Sequence, residues 1–496
     1  MSQKYNTFNL AQCNLGINST GQNTNKLGLA KYIKNICIKN GKILSANSGE
    51  NLFTLLDSTG QLSAGVSLLG GIVNMQVFEV YNNGTFCPYL VICSKDLQVY
   101  YCNLASSALS LVRLQDIQLT SKPIFETYIS DNKNLLLISS ATDEMWIWDG
   151  ILAPLEVLNA PKVSSMAVGL ERLFITCQDS PYKVYYSLDK DPSNWDNDIS
   201  DQTNGEISFV DNLGCVIKVF ALDNYIYVIR QNGIIKIYST ASKDSFKQSR
   251  LFVSTGKIYP NSVCLAGDKI VFLTSDGLYS FDGLNAKKIA LHIDDLFSKD
   301  NQDCVAVCQD NIYWLCANVI DNYGAQKRAY LQIDLTECVV LSLQEVDCIG
   351  AFAIDYSVLR GVCLLVNSAS DNNDSSAENS ATQTLQSNTK TANSVLFLQK
   401  TASQTGGCGD FAYYSNNLPL EPTEAKKTIS KLKILANTKL SLQINTNGCS
   451  KIFDILPSHQ AQTFFVGISG DVFCVAISGS GKLELEELSI YYTYNT

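Results

Sequence analysis

The chain has 496 residues, of which 46% are apolar and 17% are charged, and this composition excludes disorder over most of its length. Its formal net charge is −10 and no Lys/Arg-rich run stands out, which weighs against binding the outside of duplex DNA through its phosphates. A chain of this length suits one large domain with an accessory module.

The N-terminal segment 1–30 is polar and rich in Asn, Gly and Gln, and we interpret it as an extended arm. It lacks the apolar stretch of a signal peptide, and nowhere does the chain hold ~18 consecutive apolar residues. We therefore expect no signal peptide and no membrane span. Segment 31–49 follows and is predicted to form a strand pair that turns at Asn40 and Gly41.

Seven hairpin-like pairs of apolar runs recur at a spacing of about 45 residues, which is typical of a β-propeller. Polar turns such as Gln-Asn-Gly and Ser-Asp-Gly separate the two runs of each pair, as suits antiparallel strands. The sequence predicts an all-β fold with seven blades, or six if one hairpin belongs to a shared blade. Residues 33–45 are candidates for the strand that closes the ring. The paired runs lie in segments 89–102, 135–150, 172–188, 225–240, 269–283, 311–335, and 362–368 with 395–400.

The predicted propeller domain covers 31–418 and contains a low-complexity insertion at 368–394. This tract has almost no large apolar side chains, so it cannot bury enough surface to order itself. A surface loop between two strands is the favoured interpretation, and a binding segment is the alternative.

The C-terminal segment 419–496 alternates apolar and polar residues with period two, and Gly-containing turns separate its runs. This pattern predicts an antiparallel β-sandwich appended to the propeller. Residues 421–431 have one helical turn as an alternative.

The 17 cysteines are scattered singly, without any Cys-x-x-Cys pair. Thiols on apolar strands are typical of reduced core residues, so we expect folding in a reducing cytoplasm rather than a disulfide framework.

Candidate catalytic chemistry is sparse in this sequence. The only histidines, His292 and His459, lie outside any metal-binding pattern, and neither a nucleophile elbow nor a phosphate-binding loop occurs. We therefore predict no catalytic residue, no metal ligand and no cofactor.

Two other features have a structural and a functional interpretation. The Asp-rich loop 189–201 lacks the ligand register of a calcium-binding loop, so a solvated loop is favoured and a Ca²⁺ site is the alternative. Trp146 and Trp148 fall on the same strand face, where core packing is favoured over a sugar-stacking platform.

Three regions of the chain share a layout with one group of virion proteins. The N-terminal region carries Gly16, Asn18, Asn35, Gly41 and Gly49, a loop after a strand carries Ser187, Asp191, Pro192 and Trp195, and the C-terminal segment contains LSIYYTY. Together they resemble the β-propeller proteins of bacteriophage tails and head-to-tail connectors, of the tail nozzle and packaged-DNA stabilization types. Ser48 stands where that family often has Arg.

The resemblance implies a structural virion protein rather than an enzyme. Copies of it, most often six, would form a homo-oligomeric ring below the portal and adaptor, around the channel through which genomic DNA leaves without sequence-specific binding. It would be made in the host cytoplasm and reside in the tail of the virion. The alternative to a structural virion protein is a carbohydrate-binding or carbohydrate-cleaving propeller of a tail-associated depolymerase. A WD40-type scaffold is least favoured, because Trp148-Asp149 is not repeated.

Overall fold

The structure is a computed structural model that describes residues 5–10, 16–19, 30–39, 42–46, 49–53, 71–82, 85–106, 110–130, 133–195, 205–239, 246–356, 359–366, 394–399 and 409–494. Within these residues the chain is almost entirely β-strand, and its sheets are antiparallel. Two short 3-10 helices, Pro260–Ser262 and Leu291–Leu296, flank the fifth blade.

Seven consecutive four-stranded sheets form a β-propeller, because the first strand of most blades contacts the first strand of the next around a common axis. From the axis outward, blade 1 consists of Ile72–Asn82, Thr85–Ser94, Val99–Asn103 and Val112–Arg113. Blade 2 consists of Ile124–Ser130, Lys133–Ser139, Met145–Trp148 and Leu155–Val157. Blade 3 consists of Ser165–Gly169, Arg172–Thr176, Lys183–Tyr186 and Gly205–Ser208. Blade 4 consists of Val216–Leu222, Tyr225–Arg230, Gly233–Ser239 and Phe246–Val253. Blade 5 consists of Cys264–Ala266, Lys269–Thr274, Gly277–Phe281 and Ala286–Ile289. Blade 6 consists of Val305–Gln309, Ile312–Ile320, Gln326–Asp334 and Val339–Gln344.

Blade 7 is completed from the N-terminal part of the chain. Its first three strands are Cys348–Tyr356, Leu359–Val366 and Ser394–Gln399, and its outermost strand is Glu50–Asn51. The prediction that residues 33–45 close the ring is therefore wrong, although closure by an early strand is observed. The physical reason is that residues 33–45 are already paired with blade 6 and with the C-terminal domain.

Apolar clusters fill every gap between neighbouring blades, which closes the ring. One such cluster joins Cys363 and Leu365 of blade 7 to Ile72 and Leu90 of blade 1. Six further clusters occupy the other interfaces. Since each blade buries its faces against two neighbours, the described strands form seven blades and not six.

A ten-stranded sheet connects the propeller to the C-terminal domain. Beyond Val339–Gln344 of blade 6, its order continues through Ile36–Lys39, Lys42–Ser45, Glu484–Tyr494, Lys427–Ala436 and Gln462–Gly470. The strand Asn6–Asn9 adds to it by pairing with Glu484–Tyr494. We call this the long sheet.

The second sheet of the sandwich has five strands, in the order Ala30–Lys34, Asp410–Ser415, Phe473–Ser480, Leu440–Thr446 and Cys449–Ile455. The segment 1–30 therefore differs from an independent arm, because its described strand Asn6–Asn9 and the bridge of Ile17 to Ala30 belong to the sandwich. The domain boundaries shift for the same reason: 410–415, predicted as propeller, pairs within the sandwich, which begins before 419.

One apolar cluster runs without a break from the propeller into the sandwich. It contains Leu273 of blade 5, Leu315 of blade 6 and Ile36 of the connecting strands, and it ends among Leu442 and Ile477 between the two sandwich sheets. The two domains therefore share a core, and each buries apolar surface that the other would leave exposed.

Three further expectations concern the same regions. Residues 427–436 form a strand rather than a continuation of a helical turn, and 421–426 are not helical. The insertion 368–394 lies outside the described residues except for Ser394, as do Asn40 and Gly41. Among the described residues, no helix has both the length and the apolar character needed to cross a membrane.

Candidate functional site

The loop that carries Asp191, Pro192 and Trp195 packs into the gap between blades 2 and 3. Trp195 is buried, and its Nε1 donates a 3.0 Å hydrogen bond to the Pro192 carbonyl. Its indole joins a cluster containing Leu137 of blade 2 and Leu173 of blade 3. The loop thus acts as a plug that fills the space between two blades.

The carboxylate of Asp191 is used within its own loop. Its Oδ1 accepts hydrogen bonds from the Ser193 amide at 2.9 Å and from the Ser193 hydroxyl at 2.5 Å. Of the Asp-rich loop 189–201, only residues up to Trp195 are described, so Asp196, Asp198 and Asp201 lie outside the described residues and the calcium alternative stays a prediction.

Ser187 lies fully buried beside Arg172, which is also fully buried. The Arg172 Nη1 donates to the Ser187 carbonyl at 2.8 Å, and the Ser187 hydroxyl oxygen accepts a hydrogen bond from the Leu173 amide at 3.1 Å. The guanidinium also lies 5.6 Å from the ring centroid of Tyr186. Ser187 therefore fixes the end of a blade 3 strand, and a buried cation holds it in place.

Asn35 connects the propeller to the sandwich. Its backbone is left-handed with φ of 53°, a conformation that Asn tolerates better than most residues. Its Nδ2 donates to the Asp410 carbonyl at 2.8 Å, and its Oδ1 accepts from the Glu345 amide at 3.2 Å. Gly49 has φ of 72° just before the closing strand of blade 7, and Gly41 lies outside the described residues.

Gly16 and Asn18 lie at the same junction. A Cβ on Gly16 would lie 2.8 Å from the Val340 carbonyl oxygen on the outer strand of blade 6, so only glycine allows this approach. The Asn18 amide donates to the Ala30 carbonyl at 2.6 Å, and the Asn18 carbonyl accepts from Asn416 Nδ2 at 2.6 Å. Gly16, Asn18 and Asn35 thus lie at separate points along the junction of blade 6 with the sandwich, whereas the Trp195 loop lies between blades 2 and 3.

The two tryptophans of blade 2 are buried in its interface with blade 1. The Trp148 ring stacks on Tyr89 with centroids 5.7 Å apart and an interplanar angle of 19°. Their shared strand face is therefore a packing surface and not an exposed sugar platform.

The histidines lie apart from each other in the fold. His292 is buried in the 3-10 helix Leu291–Leu296, and burial lowers its pKa below the usual range. His459 is exposed in a loop of the sandwich. In the part of the chain that the structure describes, no three His, Cys, Asp or Glu side chains are grouped to hold a metal ion.

Fifteen cysteines fall among the described residues, and all of them are free thiols. Burial raises the pKa of both Cys93 and Cys102 to about 12, so these thiols remain protonated and unreactive at neutral pH.

A cavity of about 810 Å³ lies in a cleft between blade 6 and the five-stranded sheet of the sandwich. The hairpin turn after Ile312–Ile320 overhangs one side of it. Asp321 shapes this turn, because its Oδ1 accepts hydrogen bonds from the amides of Tyr323 and Ala325, both at 2.8 Å. The turn therefore presents Tyr323, which is 80% exposed, in a defined position.

Three tyrosines line this cleft, which we call the tyrosine cleft. The Tyr323 and Tyr414 hydroxyls lie 3.0 Å apart, and their rings meet edge to face with centroids at 6.1 Å. The buried Tyr32 donates to Glu345 Oε1 at 3.2 Å, and Lys34 Nζ lies 3.2 Å from the other carboxylate oxygen. The remaining lining includes Asn322, Lys327, Asp410, Phe411, Lys439, Ser441, Asp454 and Ser480.

The phenols of Tyr32 and Tyr414 remain neutral at physiological pH. Burial, followed by the adjacent Glu345 carboxylate, raises the pKa of Tyr32 well above its usual value. Burial and the hydrogen bond to Tyr323 raise the pKa of Tyr414 to about 12. The cleft therefore offers aromatic faces, hydroxyls and carboxylates for hydrogen bonding to a polar ligand.

The axis of the propeller carries a second group of titratable side chains. Glu126 lies on the innermost strand of blade 2, and burial raises its pKa to about 7, although the Thr127 amide and Lys218 favour the charged form. Lys218 lies on the innermost strand of blade 4, where its Nζ donates to the Val263 carbonyl at 3.0 Å and lies 4.8 Å from the Phe220 ring centroid. Burial lowers the pKa of Lys218.

No family model matches this chain. No curated protein matches it either.

Solved β-propeller structures are similar to part of the chain. Dihydro-heme d1 dehydrogenase NirN shares 13% identity over 56% of this chain and 57% of its own, with a TM-score of 0.39. The apo AztD structure from Citrobacter koseri shares 12% identity over 54% of this chain and 71% of its own, with a TM-score of 0.31. A KlHsv2 variant, with loop 6CD replaced by a Gly-Ser linker, shares 13% identity over 55% of this chain and 97% of its own, with a TM-score of 0.32.

Neither the tyrosine cleft nor the charged residues Glu126 and Lys218 at the axis were predicted from the sequence. Tyr32, Tyr323, Glu345 and Tyr414 are separated by up to 382 positions (414 − 32), so no local spacing connects them. Glu126 is easier to find from the sequence than the cleft residues are. It is a carboxylate inside the apolar run 124–130, which departs from the pattern of an ordinary inner strand.

Proposed function

We propose that this protein is a structural subunit of a bacteriophage tail or head-to-tail connector, where copies form a ring around the DNA exit channel. The observation that carries the proposal is the ten-stranded long sheet, which joins N-terminal strands, blade 6 and the C-terminal sandwich by continuous backbone hydrogen bonding. With the shared core beneath it, this sheet resists separation of the two domains. This rigidity suits a structural subunit that must keep its shape under mechanical force.

The resemblance of the N-terminal region supports the same proposal. Gly16, Asn18 and Asn35 bind the N-terminal segment to the junction between blade 6 and the sandwich. Three of the residues on which the resemblance to tail proteins rests therefore stabilise the junction between the propeller and the sandwich. In the proposed ring the neighbours are the portal and adaptor, and the net charge of −10 disfavours retention of DNA in the lumen.

Mass spectrometry of purified virions, combined with a cryo-EM reconstruction of the tail, tests this proposal. We expect the chain in stoichiometric amount, in a ring of six copies. Absence of the chain from virions, or a monomer that turns over a glycan, would contradict the proposal.

A second candidate function is carbohydrate binding, and the tyrosine cleft is the specific observation that favours it. Tyr323 is exposed over a cavity of about 810 Å³ whose lining contains aromatic, carboxylate, ammonium, amide and hydroxyl groups. Sugars bind proteins through stacking on aromatic rings and hydrogen bonds to their hydroxyls. Calorimetric titration of host surface glycans into the wild type and Tyr323→Ala tests this function, with Tyr182→Ala as the exposed control on blade 3.

A further inference from the structure

Two cysteines from neighbouring blades meet in the gap between blades 6 and 7. Cys316 lies on the strand Ile312–Ile320 of blade 6, and Cys348 begins Cys348–Tyr356, the innermost strand of blade 7. Both are buried in the apolar cluster that joins these two blades. They are 32 positions apart in the sequence, so the packing of blade against blade brings them together.

The contact between the two residues is made through sulfur. The Cys348 amide donates a hydrogen bond to Cys316 Sγ at 3.4 Å, and the Cys348 thiol donates another to the same sulfur. When it is protonated, the Cys316 thiol donates in turn to the Val346 carbonyl at 3.6 Å. A disulfide requires sulfurs about 2 Å apart on Cα atoms within about 7 Å of each other. Thiols that already share a hydrogen bond therefore need only a small movement to form one.

The guanidinium of Arg328 lies beside this pair. Its Nη2 donates to the Cys348 carbonyl at 3.2 Å and to the Asp303 carbonyl at 2.6 Å, and its Nε lies 3.5 Å from Asp347 Oδ1. Its buried Nη1 has no hydrogen-bond partner among the described residues. Because Asp347 is 45% exposed, solvent weakens its pairing with the arginine, and the positive charge is left to favour an anionic sulfur nearby.

The two thiols differ in acidity as a result. Burial alone would raise the pKa of Cys316, but the hydrogen bond from the Cys348 thiol, the Arg328 guanidinium and the Cys348 amide hold this pKa below its usual value. The hydrogen bond to Cys316, followed by burial, raises the pKa of Cys348 well above its usual value. Cys316 is therefore the thiolate that reacts first, and Cys348 is the neighbouring thiol that reacts second.

A second thiol contact provides a comparison within the same chain. Cys264 and Cys308 share a hydrogen bond in the gap between blades 5 and 6, and this bond, followed by burial, raises the pKa of Cys308 well above its usual value. The cation near this pair is Lys218, which donates to the carbonyl of Val263, the residue before Cys264. Burial lowers the pKa of Lys218, whereas an arginine stays charged, so the blade 5–6 pair has the weaker support for a thiolate.

We propose that Cys316 and Cys348 form a redox-active pair, which a hydroperoxide converts into a disulfide that joins blade 6 to blade 7. In the first step the Cys316 thiolate attacks hydrogen peroxide, the O–O bond breaks, the sulfur is oxidised to a sulfenic acid and hydroxide leaves. In the second step the Cys348 sulfur attacks the sulfenic sulfur, the S–S bond forms, and the hydroxyl leaves as water with the Cys348 proton. Hydrogen peroxide is little larger than water, and its path from solvent is short because Cys348 directly follows the half-exposed Asp347.

The disulfide would strengthen the propeller beside its ring closure. Blade 7 is completed by the two-residue strand Glu50–Asn51, and a covalent bond to blade 6 would hold its other side. The bond also closes a loop in the unfolded chain and so reduces its entropy. The proposal goes beyond the tail role and does not depend on it, because it concerns any copy of this chain that passes from a reducing to an oxidising environment.

Peptide mapping by mass spectrometry tests the proposal on the full chain after treatment with hydrogen peroxide and alkylation of the remaining thiols. We expect the Cys316–Cys348 disulfide to form before any Cys264–Cys308 disulfide and to be reversed by dithiothreitol. The oxidised protein should melt about 5 °C higher than the reduced protein.

Three variants separate the roles of the residues. In Cys348→Ser the sulfenic acid of Cys316 should persist and be trapped by a 1,3-dione, because the second thiol is absent. Arg328→Gln should slow disulfide formation about tenfold, since the thiolate fraction falls tenfold for each unit by which the pKa rises. Cys308→Ser is the matched control and should form the Cys316–Cys348 disulfide at the wild-type rate. Thermal melts show that each variant folds, and the wild-type map decides the proposal if one of them does not.

The proposal is overturned if Cys316 and Cys348 remain free thiols in the peroxide-treated wild type, or if the Cys264–Cys308 disulfide forms first. A wild-type rate in Arg328→Gln would overturn the part assigned to the guanidinium. The tail role is judged separately by the composition of virions. If virions lack the chain while the disulfide forms as described, the redox pair is right and the tail role is wrong.

Discussion

The hydroxyl oxygens of Tyr323 and Tyr414 lie 3.0 Å apart, although 91 positions separate the two residues in the chain. Tyr323 is on a blade 6 hairpin turn, and Tyr414 is on a sandwich strand. Their contact spans the tyrosine cleft at its solvent side. A substitution at this contact therefore tests how blade 6 and the sandwich pack together, without disturbing the shared core.

Replacement Tyr414→Phe is expected to change the pH dependence of stability more than its magnitude at neutral pH. The pKa of Tyr414 is raised from 10.0 to about 12 in the folded protein, so its contribution is present below pH 10 and is lost as pH rises toward 12. The variant should lose about 1 kcal/mol or less at pH 7, since the hydrogen bond is exposed, and should lack the Tyr414 contribution to the alkaline decline. Urea unfolding between pH 7 and pH 11 measures this, with Tyr182→Phe as the control. Parallel curves for wild type and Tyr414→Phe would contradict the assignment.

The variant Asn35→Gly keeps the left-handed backbone but removes the side chain that connects Glu345 to Asp410. We expect it to lower the free energy of unfolding by about 1 kcal/mol, because the half-buried Glu345 amide and the exposed Asp410 carbonyl lose their partner. Asp223→Gly is the matched control, since Asp223 also has φ of 53° but lies on an exposed hairpin. If chemical denaturation shows that both variants lower the free energy of unfolding equally, the side-chain hydrogen bonds of Asn35 do not stabilise the protein.

The variant Trp195→Ala should destabilise the protein by about 3–5 kcal/mol, because it opens a cavity between blades 2 and 3. Trp195→Phe should cost less, since the ring refills part of the space while the bond to the Pro192 carbonyl is lost. Thermal and chemical unfolding of both variants would measure the difference. If Trp195→Ala unfolds like the wild type, the loop does not act as a plug.

The variant Glu126→Gln should stabilise the protein above neutral pH. Burial raises the pKa of Glu126 from 4.5 to about 7, so its contribution to folding is full below pH 4.5 and declines as pH rises through 7. The glutamine variant lacks this decline and should gain at most about 3 kcal/mol over wild type at pH 8, and less where water reaches the carboxylate. Unfolding free energies at pH 4.5 and pH 8 give the comparison. Glu206→Gln, at an exposed pair with Lys183, should show no such pH-dependent gain.

Local patterns in the sequence predicted the strands and hairpins well, because side-chain alternation and turn residues act over a few positions. Gly277 illustrates this: it follows the turn residues Ser275 and Asp276 and adopts φ of 134° where the hairpin reverses. The Trp195 loop was also visible in the sequence, since its hydrogen bond to Pro192 spans only three residues.

The sequence alone therefore determined a β-propeller followed by an antiparallel β-sandwich, since seven hairpins with one apolar face can be buried only against one another. Only the tertiary structure decided which early strands complete which sheet, because Ile36–Lys39 and Glu50–Asn51 have similar local patterns but partners roughly 300 or more positions away. The tyrosine cleft has the same origin: it exists only where distant segments meet, and burial of the shared core, not local propensity, brings those segments together.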